Sequence, residues 1–375
     1  MKKQISVLTA LLTAAAFAVT GCGASSGNAA PSASSKAASQ EVSEETKHSE
    51  AETTKAENTG AETGSETVSE EAKEDSGAAA VRVGSLKGPT SMGLAYLMET
   101  AKNGETANTY EFTMAGKADE LVGNIANGSL DIALVPANVA SVLYNKTQGQ
   151  VKVIDINTLG VLYVVASDDS ISTMEDLKGK TVYMTGKGTT PEFAMNYLLA
   201  ENGLGSGDVT MEFKSEAAEV ASILKEDPSA IGVLPQPFAS AACMQNPELK
   251  TVMDLTEQWD LLNKEGNSRM VTGVTIVRTG FLEEHEAAVE QFLKDHAESA
   301  EYTSAEPEKA AQLVADIGIV EKAAMAQKAM PLCNIVCITG EEMKQALSGY
   351  LEVLSGQDAK SIGGTLPGDD FYYLP

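Results

Sequence analysis

The chain alternates short apolar runs with longer segments whose apolar residues recur every three to four positions. Runs rich in β-branched residues predict strands at 81–86, 110–114, 131–135, 151–156, 159–166 and 181–184. Further runs at 209–213, 230–234, 249–255, 271–278 and 334–338 predict five more. Helical periodicity fills 91–101, 118–126, 191–202, 217–225 and 237–244 between them. A helix-rich stretch at 283–304, 307–315 and 321–329 and a last helix at 341–354 close the chain. Repeated βα units predict an α/β fold of mostly parallel sheets covered on both faces.

Residues 173–204 show the unit most plainly. The strand Thr181-Val182-Tyr183-Met184 breaks into Thr185-Gly186-Lys187-Gly188-Thr189-Thr190, and a helix starts at Pro191. Glycines let backbone approach a ligand closely, and the unpaired N–H groups of a helix start favour an anion. Thr189 or Thr190 is placed to cap the helix, Pro191 suits its first position, and Asn202-Gly203 stops it.

Three other turns share this character. Lys87, Gly88, Thr90, Ser91 and Met92 follow the first strand, Pro136-Ala137-Asn138 follows Val135, and Gln236 and Phe238 follow Pro235. In a parallel sheet such turns gather at the carboxyl ends of the strands, where ligands bind. Two turns in each half suit a cleft between two lobes. Lys87, Lys117 and Lys187 in such loops favour an anionic ligand, and Phe238 and Trp259 are candidates to stack on an aromatic one. Read singly, each of these residues also fits a plain turn, a solvated surface charge or a core position. The candidate ligand residues are therefore Lys87, Gly88, Thr90, Ser91, Met92, Lys117, Pro136, Ala137, Asn138, Gly186, Lys187, Gly188, Thr189, Thr190, Gln236 and Phe238.

The first residues change the picture. Lys2 and Lys3 precede an apolar run at 5–19 too short to span a bilayer, and Val19-Thr20-Gly21-Cys22 follows. These four resemble a bacterial lipobox, so residues 1–22 are expected to be a lipoprotein signal peptide with Cys22 lipidated. Residues 23–79 contain no aromatic residue and hold twelve acidic against four basic residues. That composition predicts a disordered tether spanning about 40–45 Å as a coil. The whole chain has a formal net charge of −26, which argues against nucleic acid and anionic lipid as partners.

Catalytic and metal chemistry find little support in the sequence. The chain has three His: His48 in the tether, and His285 and His296 in one predicted helix. No metal-spacing cluster or nucleophile elbow is present, so neither a metal nor a cofactor is expected. Cys243, Cys333 and Cys337 remain beyond the lipobox. An odd number makes a poor disulfide framework, and Cys333 and Cys337 read as buried thiols on one face of a strand.

Several motifs together resemble a known family. Glu175-Asp176-Leu177-Lys178-Gly179-Lys180-Thr181-Val182 looks like the "dLkGKtV" motif of ABC-transporter solute-binding proteins. The likeness is to the sulfonate, taurine, nitrate and thiamine-pyrimidine-precursor group. Gly128-Ser129-Leu130-Asp131-Ile132-Ala133 is similar to that group's "G-x-x-D-x-a", and Leu234-Pro235-Gln236-Pro237-Phe238 to its "pePfa" turn, with Gln236 where Glu is usual. Phe281 to His285 and Glu306 to Ala311 resemble its helical region near the hinge. The resemblance implies a periplasmic-binding-protein type II, or Venus-flytrap, fold with two lobes and two crossovers. Residues 80–166 and 274–375 would form lobe 1 and residues 167–273 lobe 2, with crossings near Ala166-Ser167 and Gly273. It further implies a lipid-anchored extracytoplasmic monomer, not an enzyme, that captures a small anionic or heteroaromatic solute. Its partners would be an ABC permease and its ATPase. Enzymes of pyrimidine or menaquinone-precursor synthesis share this fold, and a ligand-sensing surface lipoprotein is a third reading.

Overall fold

The computed structural model describes residues 80–375; the signal peptide 1–22, Cys22, the tether 23–79 and His48 lie outside the described residues. The chain opens with β1 (Ala80–Leu86), α1 (Pro89–Met92), α2 (Ala95–Lys102), β2 (Thr109–Ala115) and α3 (Ala118–Ala126). β3 (Ile132–Pro136), α4 (Ala137–Thr147), β4 (Val151–Leu159) and β5 (Leu162–Ala166) come next. Then follow β6 (Thr181–Met184), α5 (Thr190–Glu201), β7 (Thr210–Phe213), α6 (Ala217–Glu226) and β8 (Ile231–Pro235). α7 (Phe238–Gln245), β9 (Lys250–Asp254), α8 (Leu255–Leu262), β10 (Val271–Arg278) and α9 (Thr279–Glu284) lead onward. The chain finishes with α10 (Glu286–Ala305), α11 (Pro307–Asp316), α12 (Ala323–Ala329), β11 (Ile335–Ile338) and α13 (Gly340–Gln357).

The strands form two sheets, ordered β11-β4-β10-β3-β1-β2 and β7-β6-β8-β5-β9. Both are mixed rather than mostly parallel. β1 pairs parallel with β2 and β3, whereas β10 and β11 run antiparallel to their partners. In the second sheet β6 is parallel to β7 and β8, and β5 is antiparallel to β8 and β9. The first crossing falls at Gly160-Val161, not near Ala166-Ser167. The run 159–166 is not one strand: Leu159 ends β4 in the first sheet, and β5 pairs in the second. The return lies between α8 and β10.

Burial explains the elements. In β3, Ile132, Ala133, Leu134 and Val135 are all buried, because helices cover both faces. Ala133 and Val135 pack with Leu121 and Ile125 of α3, while Ile132 and Leu134 face Leu94, Leu97 and Phe292. Successive residues thus serve opposite faces. Just ahead of β3, the buried Asp131 carboxylate accepts from Arg82 Nη2 at 2.6 Å and from Arg278 Nη2 at 2.7 Å. Two predicted helices are split. Gly93 caps α1 before α2 begins, and His285 leaves helical geometry between α9 and α10. Between α10 and α11, Pro307 pushes Glu306 out of the helical region, as the separate runs 283–304 and 307–315 predict.

Aromatic residues join the two lobes on one side. Trp259 of α8 packs at a tilt against Tyr197 of α5 and Tyr350 of α13, with centroids 4.4 and 5.4 Å away. Its indole Nε1 donates to Ser268 Oγ at 3.1 Å. Trp259 is a core residue. Across the crossing, Tyr163 of β5 donates its hydroxyl to the Leu332 carbonyl at 2.7 Å. Burial, followed by the Asp254 charge, raises its phenol above the ordinary range.

Candidate functional site

Each of the four candidate turns leaves the carboxyl end of a strand, two from each sheet. Their local bonding differs. After β1, Gly88 takes φ 138, a conformation open to glycine, so that Pro89 can begin α1. Thr90 and Ser91 donate their hydroxyls to the Leu86 carbonyl, each at 2.7 Å, and Ser91 also reaches Ser85 Oγ. Thr90, Ser91 and Met92 are buried, and these hydroxyls tie the turn back onto β1. Lys87 stays exposed.

The β3–α4 turn is tied down by the C-terminal segment. Asn138 donates its amide to the Ser361 carbonyl at 3.3 Å, Pro136 pairs with Gly273 of β10, and Ala137 is buried. The β6–α5 loop closes on itself. Thr189 is the N-cap residue, but its hydroxyl returns to the Gly186 carbonyl at 2.7 Å instead of capping, and Pro191 takes the second helical position. The Gly188 N–H donates to the Glu192 carboxylate, so the chain's own acid holds one of the loop's anion-binding donors. Lys187 lies over the Phe213 ring, 5.8 Å from its centroid.

The β8–α7 turn carries an unpaired donor. Gln236 is 2% exposed, and its backbone N–H donates to the Val161 carbonyl at 3.0 Å, beside the crossing between sheets. The Ser240 N–H donates to Gln236 Oε1 at 3.3 Å, which fixes the orientation of the amide. Gln236 Nε2 is buried and has no partner. A buried amide donor left unpaired costs roughly 1–3 kcal/mol.

A cleft of about 980 Å³ draws its walls from both lobes. Lys87, Ile319, Val320, Lys322 and Met325 line one side, and Ala218, Ser222, Lys225, Phe238 and Ala242 the other. Phe238 is 43% exposed there, so one face of an aromatic ring is free. Three lysines, Lys87, Lys225 and Lys322, and one carboxylate residue, Glu321, are among the residues of a mainly apolar lining. The volume lies at the upper end of pockets that hold small organic molecules, roughly 300–1,000 Å³.

Of the residues singled out in the sequence, Lys87 and Phe238 share this cleft. Gly88, Thr90, Ser91, Met92, Lys117, Pro136, Ala137, Asn138, Gly186, Lys187, Gly188, Thr189, Thr190 and Gln236 do not line it. Lys117 is the exposed N-cap residue of α3. Arg269 pairs with Asp260 at 3.1 Å and also lies off the cleft lining. Lys225, Lys322 and the 318–322 turn escaped the sequence reading. They meet the site only because the α11–α12 hairpin approaches α6 and α7, and no local pattern encodes that approach.

Known proteins resemble this chain in sequence and in fold. Residues 95–253 match the family described as ABC transporter, phosphonate, periplasmic substrate-binding protein. A Brucella abortus (strain 2308) protein named only as a binding protein is 25% identical over 251 residues, 64% of this chain and 70% of its own length. An ABC transporter structure from Parabacteroides distasonis superimposes with a TM-score of 0.66 at 22% identity, covering 78% of this chain and 98% of that one. The periplasmic aliphatic sulphonate binding protein SsuA of Escherichia coli gives 0.62 at 15% identity, covering 79% and 92%. These superpositions establish a shared type II two-lobed fold. Among the described residues, no helix is long and apolar enough to cross a membrane.

Proposed function

We infer that this chain, a solute-binding protein of an ABC importer, captures an organic oxyanion in the cleft between its lobes and presents it to the permease. One observation carries the ligand class: three lysines from both lobes line a cleft whose wall is mainly apolar and includes the exposed Phe238. Ammonium groups attract a phosphonate, sulfonate or carboxylate head, and the apolar wall accepts the body attached to it. A bare inorganic anion would leave most of that wall unused. Phe238 also suits a heteroaromatic body, by stacking.

The candidate turns divide in this reading. Lys87 and Phe238 contact the solute directly, and Gln236 Nε2 is a donor that a hinge movement could bring to it. The remaining turns shape the strand ends and position these three. The domain would be a monomer with lobe 1 built from 80–159 and 271–375, and closing about a ligand would be a hinge motion. Lipid on Cys22 would anchor the protein on the extracytoplasmic face, and the acidic tether would let the domain swing toward its permease.

The test is a thermal-shift screen of the purified protein against alkyl phosphonates, alkyl sulfonates, carboxylates, nitrate and pyrimidines. A ligand that binds only the folded state raises the melting temperature by mass action. Stabilisation by organic oxyanions and not by nitrate is expected. Stabilisation by uncharged pyrimidines alone would overturn the ligand class, and substrate turnover without stabilisation would overturn the receptor role.

A further inference from the structure

Away from the cleft, three side chains with metal-binding donors meet inside lobe 1. Asp155 lies on β4, Cys337 on the neighbouring β11, and His296 on α10, which packs over them. One donor atom from each lies within 4.8 Å of the other two. Asp155 and His296 are fully buried, and Cys337 is half-buried.

The bland account is a satisfied core pair: His296 Nδ1 stands 3.1 Å from Asp155 Oδ2. One observation exceeds it: the Cys337 thiol stands in the same cluster with only a weak acceptor, the Leu293 carbonyl at 4.0 Å. The carboxylate is held in place from behind. Thr275 Oγ1 donates to Asp155 Oδ1 at 2.8 Å, and Asn157 Nδ2 donates to Thr275 Oγ1 at 3.2 Å. Such outer bonds orient ligands at metal centres.

We propose that Asp155, His296 and Cys337 form a binding site for one zinc ion. Nitrogen, sulfur and oxygen donors together suit zinc, whereas calcium and magnesium take oxygen ligands. The charges also balance: a carboxylate, a thiolate and a neutral imidazole offset a divalent cation in a dry interior. Zinc on Nδ1 takes the place of the proton facing Asp155, which moves to Nε2 so that the imidazole stays neutral, and the thiol proton of Cys337 leaves to solvent. Bond lengths of about 2.0–2.3 Å place tetrahedral ligands roughly 3.3–3.5 Å apart. The 3.1 Å imidazole–carboxylate separation is already close to that, and the sulfur stands within 4.8 Å of both partners.

The test uses the full chain, stripped of metal and titrated with zinc, then with cobalt(II) as a spectroscopic stand-in. One zinc per chain, a raised melting temperature and a thiolate-to-cobalt charge-transfer band are expected. Cys337→Ser should abolish the band and lower zinc affinity at least tenfold, Cys243→Ser should change neither, and Thr275→Val should weaken binding about tenfold. Where Cys337→Ser fails to fold, the native chain supplies the answer: zinc should slow alkylation of Cys337, located by peptide mapping. No bound zinc, an unchanged affinity in Cys337→Ser, or an unchanged alkylation rate would each overturn the site.

Discussion

Asn334 donates its side-chain amide to the Gly160 carbonyl across 2.6 Å, where the chain leaves one sheet for the other. Its own carbonyl accepts from the Leu159 N–H at 3.0 Å. Asn334 adopts φ 47, a left-handed conformation that Asn and Gly tolerate best. Opposite it, a Cβ on Gly160 would stand 2.2 Å from Thr256 Oγ1 and 2.9 Å from Met270 Sδ. The crossing is thus clasped from the β11 side and packed tightly from the α8 side.

Replacing Asn334 with Gly keeps the backbone conformation and removes the side-chain bond. A loss of about 1 kcal/mol in unfolding free energy is expected. Gly160→Ala overpacks the same point and is expected to cost about 1–3 kcal/mol. Urea denaturation measures both, and an unchanged midpoint for Gly160→Ala would mean that the crossing has slack.

At the cleft, Lys87→Gln and Lys322→Gln should each weaken an oxyanion ligand by about tenfold, as expected for loss of a charge-assisted bond. The loss should shrink at high salt. Phe238→Ala should weaken ligands with an apolar or aromatic body severalfold and leave short-chain anions nearly unaffected. Titration of the variants with ligands of one head group and increasing chain length separates the two contributions.

Glu192 gives a prediction about the fold rather than the ligand. Its carboxylate accepts from the Gly188 N–H at the start of α5, and neither residue lines the cleft. Glu192→Gln should cost about 0.3–1 kcal/mol in unfolding free energy and leave oxyanion affinity unchanged. An altered affinity at unchanged stability would show that this loop takes part in binding.

Asp131 sets the acid limit of lobe 1. Burial alone would raise its pKa, but the bonds from Arg82 and Arg278 outweigh that and hold the carboxyl below the usual value of 3.8. A carboxyl depressed in the folded state stabilises it fully above the unfolded pKa, and that stability is lost as pH falls through the folded value. Wild-type protein should therefore lose stability below about pH 4 more steeply than Asp131→Asn. At neutral pH, Asp131→Asn should be less stable by about 1–3 kcal/mol, because two guanidinium groups, each about a third exposed, lose a charged acceptor. Urea midpoints across pH give both results.

Local chemistry wrote much of this fold into the sequence, and long-range packing wrote the rest. The β3 run 131–135 was legible because Ile132 to Val135 are all apolar, as a strand covered on both faces requires. The crossing was misplaced because 159–166 is apolar throughout, while Gly160 within it marks the change of sheet only through Thr256 and Met270. Cys333 read as a strand neighbour of Cys337, yet it lies before β11 and donates to the Ala329 carbonyl. Of the cleft lining, the turns at strand ends point to Lys87 and Phe238. They do not point to Lys225 and Lys322, because nothing near either lysine encodes the approach of their helices. The same limit hid His296, which α10 brings to Asp155 and Cys337.

Calorimetric titration of the purified protein with an alkyl phosphonate and an alkyl sulfonate asks whether the two lobes hold one organic oxyanion between them. Saturable binding of one ligand per chain by at least one of them is expected, weakened about tenfold in Lys87→Gln. Absence of binding by both, or binding that Lys87→Gln and Phe238→Ala leave untouched, would contradict it.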